Sequence, residues 1–199
     1  MKAISIIIFL VLALNTNTDK NYKASIEKYQ KDMNAEFKNP ETSPLSKSDI
    51  INFTKLDFYN IDKSYNTVAL LTYNKTPKEF GMKTTTNRRP IYIKYAIAKF
   101  ALKGKEYNIN IYQNIELSKK EEYKDYLFML FTDKTSGKTS YGGGRYIDLR
   151  MPKNGDSIII DFNKAYNPYC AYNHKYSCPI PSAEDHIETD IIAGVKKWH

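Results

Sequence analysis

Between Ile91 and Asn114 the chain alternates with a period of two. Ile91, Ile93, Tyr95 and Ile97 fall on one face and Tyr92, Lys94, Ala96 and Ala98 on the other; after Lys103-Gly104-Lys105, Tyr107, Ile109 and Ile111 alternate with Asn108, Asn110 and Tyr112. Successive strand side chains point to opposite faces, so two such runs joined by a glycine turn predict a β-hairpin. Further strand-like runs cover Asn66 to Tyr73, Glu79 to Thr85, Tyr126 to Phe131, Gly144 to Arg150, Ser157 to Phe162 and Ile187 to Val195. Asn154-Gly155 carries a strong hairpin signal and predicts that the runs flanking it lie side by side. No helical pattern separates the eight runs, which excludes a parallel doubly wound sheet and predicts mainly β architecture, an antiparallel barrel or sandwich.

The period differs before residue 56. Ile26, Tyr29, Met33 and Phe37 recur at spacings of three and four, which predicts a helix from Asp19 as cap to a stop at Asn39-Pro40. Ser46 and Asp49 have capping-box spacing for a short second helix. Ahead of them stand Met1-Lys2, the apolar run Ala3 to Leu14, and the polar Asn15 to Thr18. Twelve residues, interrupted only by Ser5, are too few for a bilayer, which needs roughly 20, and a charged start before a short apolar run reads as a secretory signal peptide. The expected organisation is therefore a signal peptide at 1–18, a short helical arm at 19–55 and a single β domain at 56–199. The expected location is the periplasm or cell envelope, with no integral membrane segment once the signal is removed.

Composition narrows the function classes. Apolar residues make up 42% and aromatics 14%, too many for a disordered chain, and two Cys are too few for a disulfide scaffold. The formal charge is +8, and it is concentrated: nine basic residues lie from Lys75 to Lys105 (among them Arg88, Arg89, Lys94 and Lys99) against the single acid Glu79. Such a stretch suits an anionic envelope surface, or else a solvated strand face that resists edge pairing. Nucleic acid is not expected as a partner, because an exported chain without a recognised binding motif has no use for it.

Three segments carry chemistry. Gly142-Gly143-Gly144 followed by Arg145 permits positive φ and close backbone approach beside a planar guanidinium fork, which suits an anion; glycines that bend a strand give the same pattern. It lacks the Gly-Lys-Ser/Thr of a P-loop and the helix of a dinucleotide fingerprint, so no cofactor is expected. Asp161, Asn163, Tyr166 and Asn167 place an acid, two amides and a phenol where a strand leaves the sheet, which fits a polar ligand or a well-capped turn. Cys170 and Cys178 flank His174 with equal spacing. A disulfide, a zinc site and free thiols are all compatible with that pattern. Export favours the disulfide, whose nine-residue loop contributes about 2.6 kcal/mol in the chain-entropy estimate, and no metal is assigned.

The strings Thr139-Ser140-Tyr141-Gly142-Gly143-Gly144-Arg145-Tyr146, Asp161 to Tyr172 and Cys178-Pro179-Ile180-Pro181 together resemble the prokaryotic family labelled domain of unknown function sixteen-eighty-four. The resemblance is densest from Leu130 to Gly194 and implies no activity; members include exported and cytoplasmic proteins. Two positions depart from the pattern: Glu184-Asp185 replaces a Glu-Asn pair, and Val195 replaces a Glu after Ala193-Gly194.

Two functional expectations follow. One is binding of a small polar or anionic ligand in a β-barrel cleft lined by Tyr141, Gly143, Gly144, Arg145, Asp161, Asn163, Tyr166, Asn167 and Glu184. The other is a hydrolase acting on an envelope component, with Asp161 or Glu184 as general base and Arg145 steadying an anion. A purely structural envelope protein stands third. The hairpin signal further predicts that Arg145 reaches Asp161 or Asn163, and that the glycine turn and the Asn167 to Cys170 loop share one cleft.

Overall fold

The structure is a computed structural model that describes residues 3–198, with side chains from Thr18 onward. The signal-peptide reading of residues 1–18 lies almost wholly outside the described side chains. Helix α1 runs Ala3–Lys38 without a break at Asp19, so the arm is longer than its periodicity predicts. Asp19 is therefore no cap, and its carboxylate meets Lys63 Nζ at 2.5 Å. The helix stops at Asn39-Pro40 as expected, because Pro40 offers no N–H and crowds the preceding turn. Helix α2 (Lys47–Asn52) begins at Ser46, whose Oγ accepts from the Asp49 N–H at 3.2 Å and donates to the Asp49 carboxylate at 2.6 Å.

Seven of the eight expected runs form strands, β1 Asn66–Tyr73, β2 Glu79–Gly81, β3 Ile91–Leu102, β4 Lys105–Asn114, β5 Tyr126–Asp133, β6 Arg145–Arg150 and β7 Ser157–Asp161, whereas the run expected from Ile187 to Val195 is irregular beyond the two-residue β8, His186–Ile187. They make one mostly antiparallel sheet in the order β6-β5-β4-β3-β1-β7, with β2 added to β3 and β8 pairing β5 in parallel. The sheet curls into a half-barrel with α1 at its N-terminal end. The β3–β4 hairpin turns through Lys103 and Gly104, both at positive φ, as the sequence pattern predicts.

The Asn154-Gly155 turn does not make a hairpin. Strand β7 pairs with β1, Val68 opposite Ile159, and β6 pairs with β5, which leaves β6 and β7 at opposite ends of the strand order. Curling reconciles the two. After β7 the chain passes through a 3-10 turn at Phe162–Lys164 and meets β6 at a Tyr146–Tyr166 bridge of two main-chain hydrogen bonds, 2.8 and 3.0 Å.

Along β3 the buried face carries Ala96, Ala98, Phe100 and Leu102, while Ile97 faces outward. Small residues suit the concave face because Phe100, Phe131 and Phe162 already crowd it, with Phe162 ring centroids 5.7 Å from Phe100 and 5.4 Å from Phe131. Helix α1 buries Ile26 and Phe37; Phe37 packs edge-on to Tyr172 at 4.8 Å and near Phe53 at 6.0 Å.

Candidate functional site

One face of α1 presents Tyr29, Asp32, Met33, Glu36 and Phe37, residues at the three-and-four spacing of a helix facing its neighbour. Opposite stand Asp148 of β6 and the segment after β7 that contributes Tyr166, Asn167, Tyr169, Tyr176, Ser177 and Cys178. Between the two walls lies a groove of about 500 Å³. The long irregular stretch from Asn163 to Asp185 thus supplies most of the second wall.

The tyrosine hydroxyls in the groove are already donating. Tyr29 donates to the Lys164 carbonyl at 3.0 Å, Tyr169 to Glu36 Oε1 at 2.9 Å, and Tyr166 to Asp148 Oδ1 at 2.6 Å. Asp148 Oδ1 also accepts from Tyr126 at 2.6 Å. Burial holds all of these phenols protonated, pushing them above the ordinary tyrosine range, and the neighbouring Asp148 or Glu36 charge adds to the effect. Asn167 is 1% exposed; its Nδ2 donates to the Lys196 carbonyl at 2.8 Å, while its Oδ1 accepts no hydrogen bond.

Of the residues expected to bind a ligand, Tyr166 and Asn167 line this groove and the others do not; Cys178 of the cysteine pair lines it too. Arg145 is fully buried. Its guanidinium donates to Asp133 Oδ2 at 2.8 Å and to the carbonyls of Ile191, at 2.8 Å, and Ala193, and it lies against the Phe131 ring. It reaches neither Asp161 nor Asn163, because the strands that carry them never pair. Gly144, at φ +87, has no room for a Cβ, which would stand 2.7 Å from the Phe131 carbonyl oxygen and 2.6 Å from Pro181; Gly143 is packed by the Tyr141 ring.

Asp161 and Asn163 hold α1 in place. The Tyr22 hydroxyl donates to Asp161 at 3.0 and 3.1 Å and accepts from Asn163 Nδ2 at 2.9 Å, and Asn163 also bonds the main chain at Asp62. Glu184 is exposed and ion-paired with Lys94, which holds its carboxyl below the usual range. Its neighbour Asp185 is buried and accepts from Asn110, Tyr112 and Ser182, and Val195 packs against the cluster of Phe37, Leu56 and Tyr172. Both departures from the family pattern are thus filled by residues that serve packing and cohesion.

The glycine turn and the Cys170 loop do meet, through Tyr141. Its hydroxyl bonds Cys170, and burial followed by the Cys170 charge raises its pKa to about 12. The disulfide expected between Cys170 and Cys178 is not formed in the structure: both are buried free thiols, with the Cys170 N–H 3.2 Å from Cys178 Sγ. Hydrogen bonds from Cys178, Tyr141 and Thr85 draw the Cys170 thiol down to about 6, and the same contact pushes Cys178 up. No group of three or more His, Cys, Asp and Glu side chains that could hold a metal ion exists among the described residues.

The basic stretch is partly consumed internally. Arg88 donates to Ser177 and Arg89 to the Thr86 and Arg88 carbonyls, while Lys94 and Lys99 pair with Glu184 and Glu106. Among the described residues no helix is long and apolar enough to cross a membrane.

The groove residues on α1 could have been found from the sequence. Tyr29, Met33 and Phe37 are the helix's apolar stripe, and Asp32 and Glu36 interrupt it on the same face. Acids inside an apolar stripe mark a wall that is only half packed. Asp148 gave no such sign, because it sits at an outward position of an ordinary strand.

The family model of DUF1684, described as a protein of unknown function, matches residues 51–196. The match begins after α1, so one wall of the groove lies inside it and the other precedes it. A solution NMR structure of an uncharacterized protein from Haloarcula marismortui is similar, with a TM-score of 0.68 and 29% identity, covering 90% of this chain and 96% of that one. No curated protein matches.

Proposed function

The chain belongs to the DUF1684 family, whose proteins are of unknown function, and we propose that it is an exported protein binding a small polar ligand in the groove between α1 and the sheet. The observation that carries this is the groove itself. It measures about 500 Å³, has tyrosine and phenylalanine walls, and holds a few convergent polar groups, which is the ordinary character of a small-molecule site. Among the described residues no Lys or Arg lines it, so it suits a polar ligand and not an anionic one. The hydrolase alternative draws less support, since Asp161 is bonded to Tyr22, Glu184 pairs with Lys94 at the surface, and Arg145 is buried against Asp133.

Native mass spectrometry of protein recovered from its own envelope fraction tests this. A retained small molecule is expected, and Met33→Trp, which fills the groove, should release it without changing the thermal midpoint. The same adduct in both proteins, or none in either, would remove the groove as the site.

Export rests on Met1-Lys2 and the apolar run to Leu14. N-terminal sequencing of the exported form should begin between about Asn15 and Tyr22; intact Met1 in the cytoplasmic fraction would refute it. In the oxidising compartment Cys170 and Cys178 close into a disulfide, supported by their adjacency in the fold. A linked peptide in unreduced digests is the expected result, and two freely alkylated thiols in exported protein the contrary one.

A further inference from the structure

We propose that the ligand of this groove carries a protonated amine, an alkylammonium whose N–H groups donate to the groove; the inference rests on the groove being the binding site. Charge points the same way as hydrogen bonding. Asp32, Glu36 and Asp148 line the groove with no opposing cation among its walls, in a chain whose formal charge is +8. The site therefore reverses the sign of the molecule around it and concentrates cations. The cations beside it are engaged and leave it open: Lys28 pairs with Asp32 at 2.5 Å, Lys175 rests 4.9 Å from the Tyr176 ring centroid, and Arg88 is held by the Ser177 carbonyl at 2.8 Å. That second contact shows a groove ring already hosting an ammonium on one of its faces.

The hydrogen-bond inventory is one-sided. The Tyr29, Tyr166 and Tyr169 hydroxyls are spent as donors. Apart from the Tyr176 hydroxyl, what the walls still offer are acceptors: the second oxygens of Glu36 and Asp148, and the buried Asn167 Oδ1 that accepts nothing. Leaving a buried acceptor unpaired costs about 1–3 kcal/mol, which a donating ligand restores. A phosphate or carboxylate brings only acceptors and would face three carboxylates. A polyol brings donors and acceptors equally and leaves the charge unanswered. An alkylammonium brings donors only, a positive charge for the carboxylates, and a methylene stem for the aromatic walls.

The full exported chain is titrated with spermidine, N-acetylglucosamine and inorganic phosphate, following amide and side-chain resonances by NMR and affinity by calorimetry. Spermidine should shift Glu36, Tyr166 and Asn167 while leaving Asp133 and Arg145 unmoved. Its affinity should fall roughly tenfold in Glu36→Gln and again in Asp148→Asn, since each removes one charge-assisted bond. Both substitutions keep an acceptor for the tyrosine hydroxyls, so the thermal midpoint should hold. N-acetylglucosamine shifting the same resonances equally in the wild type and Glu36→Gln would overturn the ammonium while sparing the groove. Spermidine bound with no loss in either variant, or with shifts elsewhere, would overturn it too. No shift at these positions with any of the three would overturn both readings.

Discussion

Arg145 shows how far a residue's role depends on its partner. A guanidinium beside three glycines suggests an anion site, yet here it is sealed in the interior with Asp133 and the carbonyls of Ile191 and Ala193, so it pins the C-terminal segment to β5 and β6. Removing one member of a buried ion pair strands the other charge. Arg145→Ala should therefore cost about 3–5 kcal/mol in urea unfolding and leave groove binding unchanged in the folded fraction. A loss below about 1 kcal/mol would show the pair to be dispensable. The thiol pair makes a second prediction for the reduced protein. Cys170 is drawn down to about 6 while Cys178 is pushed up, so one thiolate should appear by ultraviolet absorbance near pH 6 and the second only in strong alkali. Because the folded value of Cys170 lies below that of an ordinary thiol, its contribution to stability is complete above the ordinary value and is lost as pH falls through about 6. Two thiolates emerging together near the ordinary thiol value would contradict this separation of the pair.

At the scale of elements, α1 is fastened at both ends of its contact with the sheet. Phe37 is packed among Tyr172 and Phe53, and Tyr22 bonds Asp161 and Asn163. Tyr22→Phe deletes the hydroxyl and leaves a buried carboxylate and amide short of a partner. Amides in the α1 turns around Tyr22 should then exchange faster with solvent, at a cost of about 1–2 kcal/mol, while β3 and β4 amides keep their protection. Uniform acceleration across the sheet would mean that the helix and sheet open as one.

For the whole molecule, the half-barrel depends on α1 to cover one of its clusters. Ile26 and Phe37 are buried against the rest of the chain, and Phe37 shares a cluster with Leu45, Leu56, Tyr172 and Val195. Each such side chain contributes about 1.5–3 kcal/mol on burial. A chain lacking residues 19–40 should melt about 10 °C lower and expose this cluster to hydrophobic dyes. An unchanged midpoint would show that the sheet stands alone, and that α1 serves only to wall the groove.

Local alternation and turn chemistry determined the strands. A period of two survives any tertiary arrangement, and Lys103-Gly104 can close a hairpin without help from distant residues, so seven of the strands and the stop at Asn39-Pro40 were readable in the chain. Strand partnership was not. Asn154-Gly155 turns the backbone but does not choose the neighbour, and β7 went to β1 because that pairing lets Ile158 and Ile160 enter the same core as Leu71 and Phe100. That choice carried Asp161 and Asn163 to Tyr22 and away from Arg145. Tyr166 and Asn167 stood out because a phenol and an amide follow directly where a strand leaves the sheet, a placement that fits a polar ligand or a capped turn. The groove's acids Glu36 and Asp148 were brought together only when a helix and a sheet edge more than a hundred residues apart in the chain were packed face to face. Contact of that kind is a property of the closed core, and no short-range pattern encodes it.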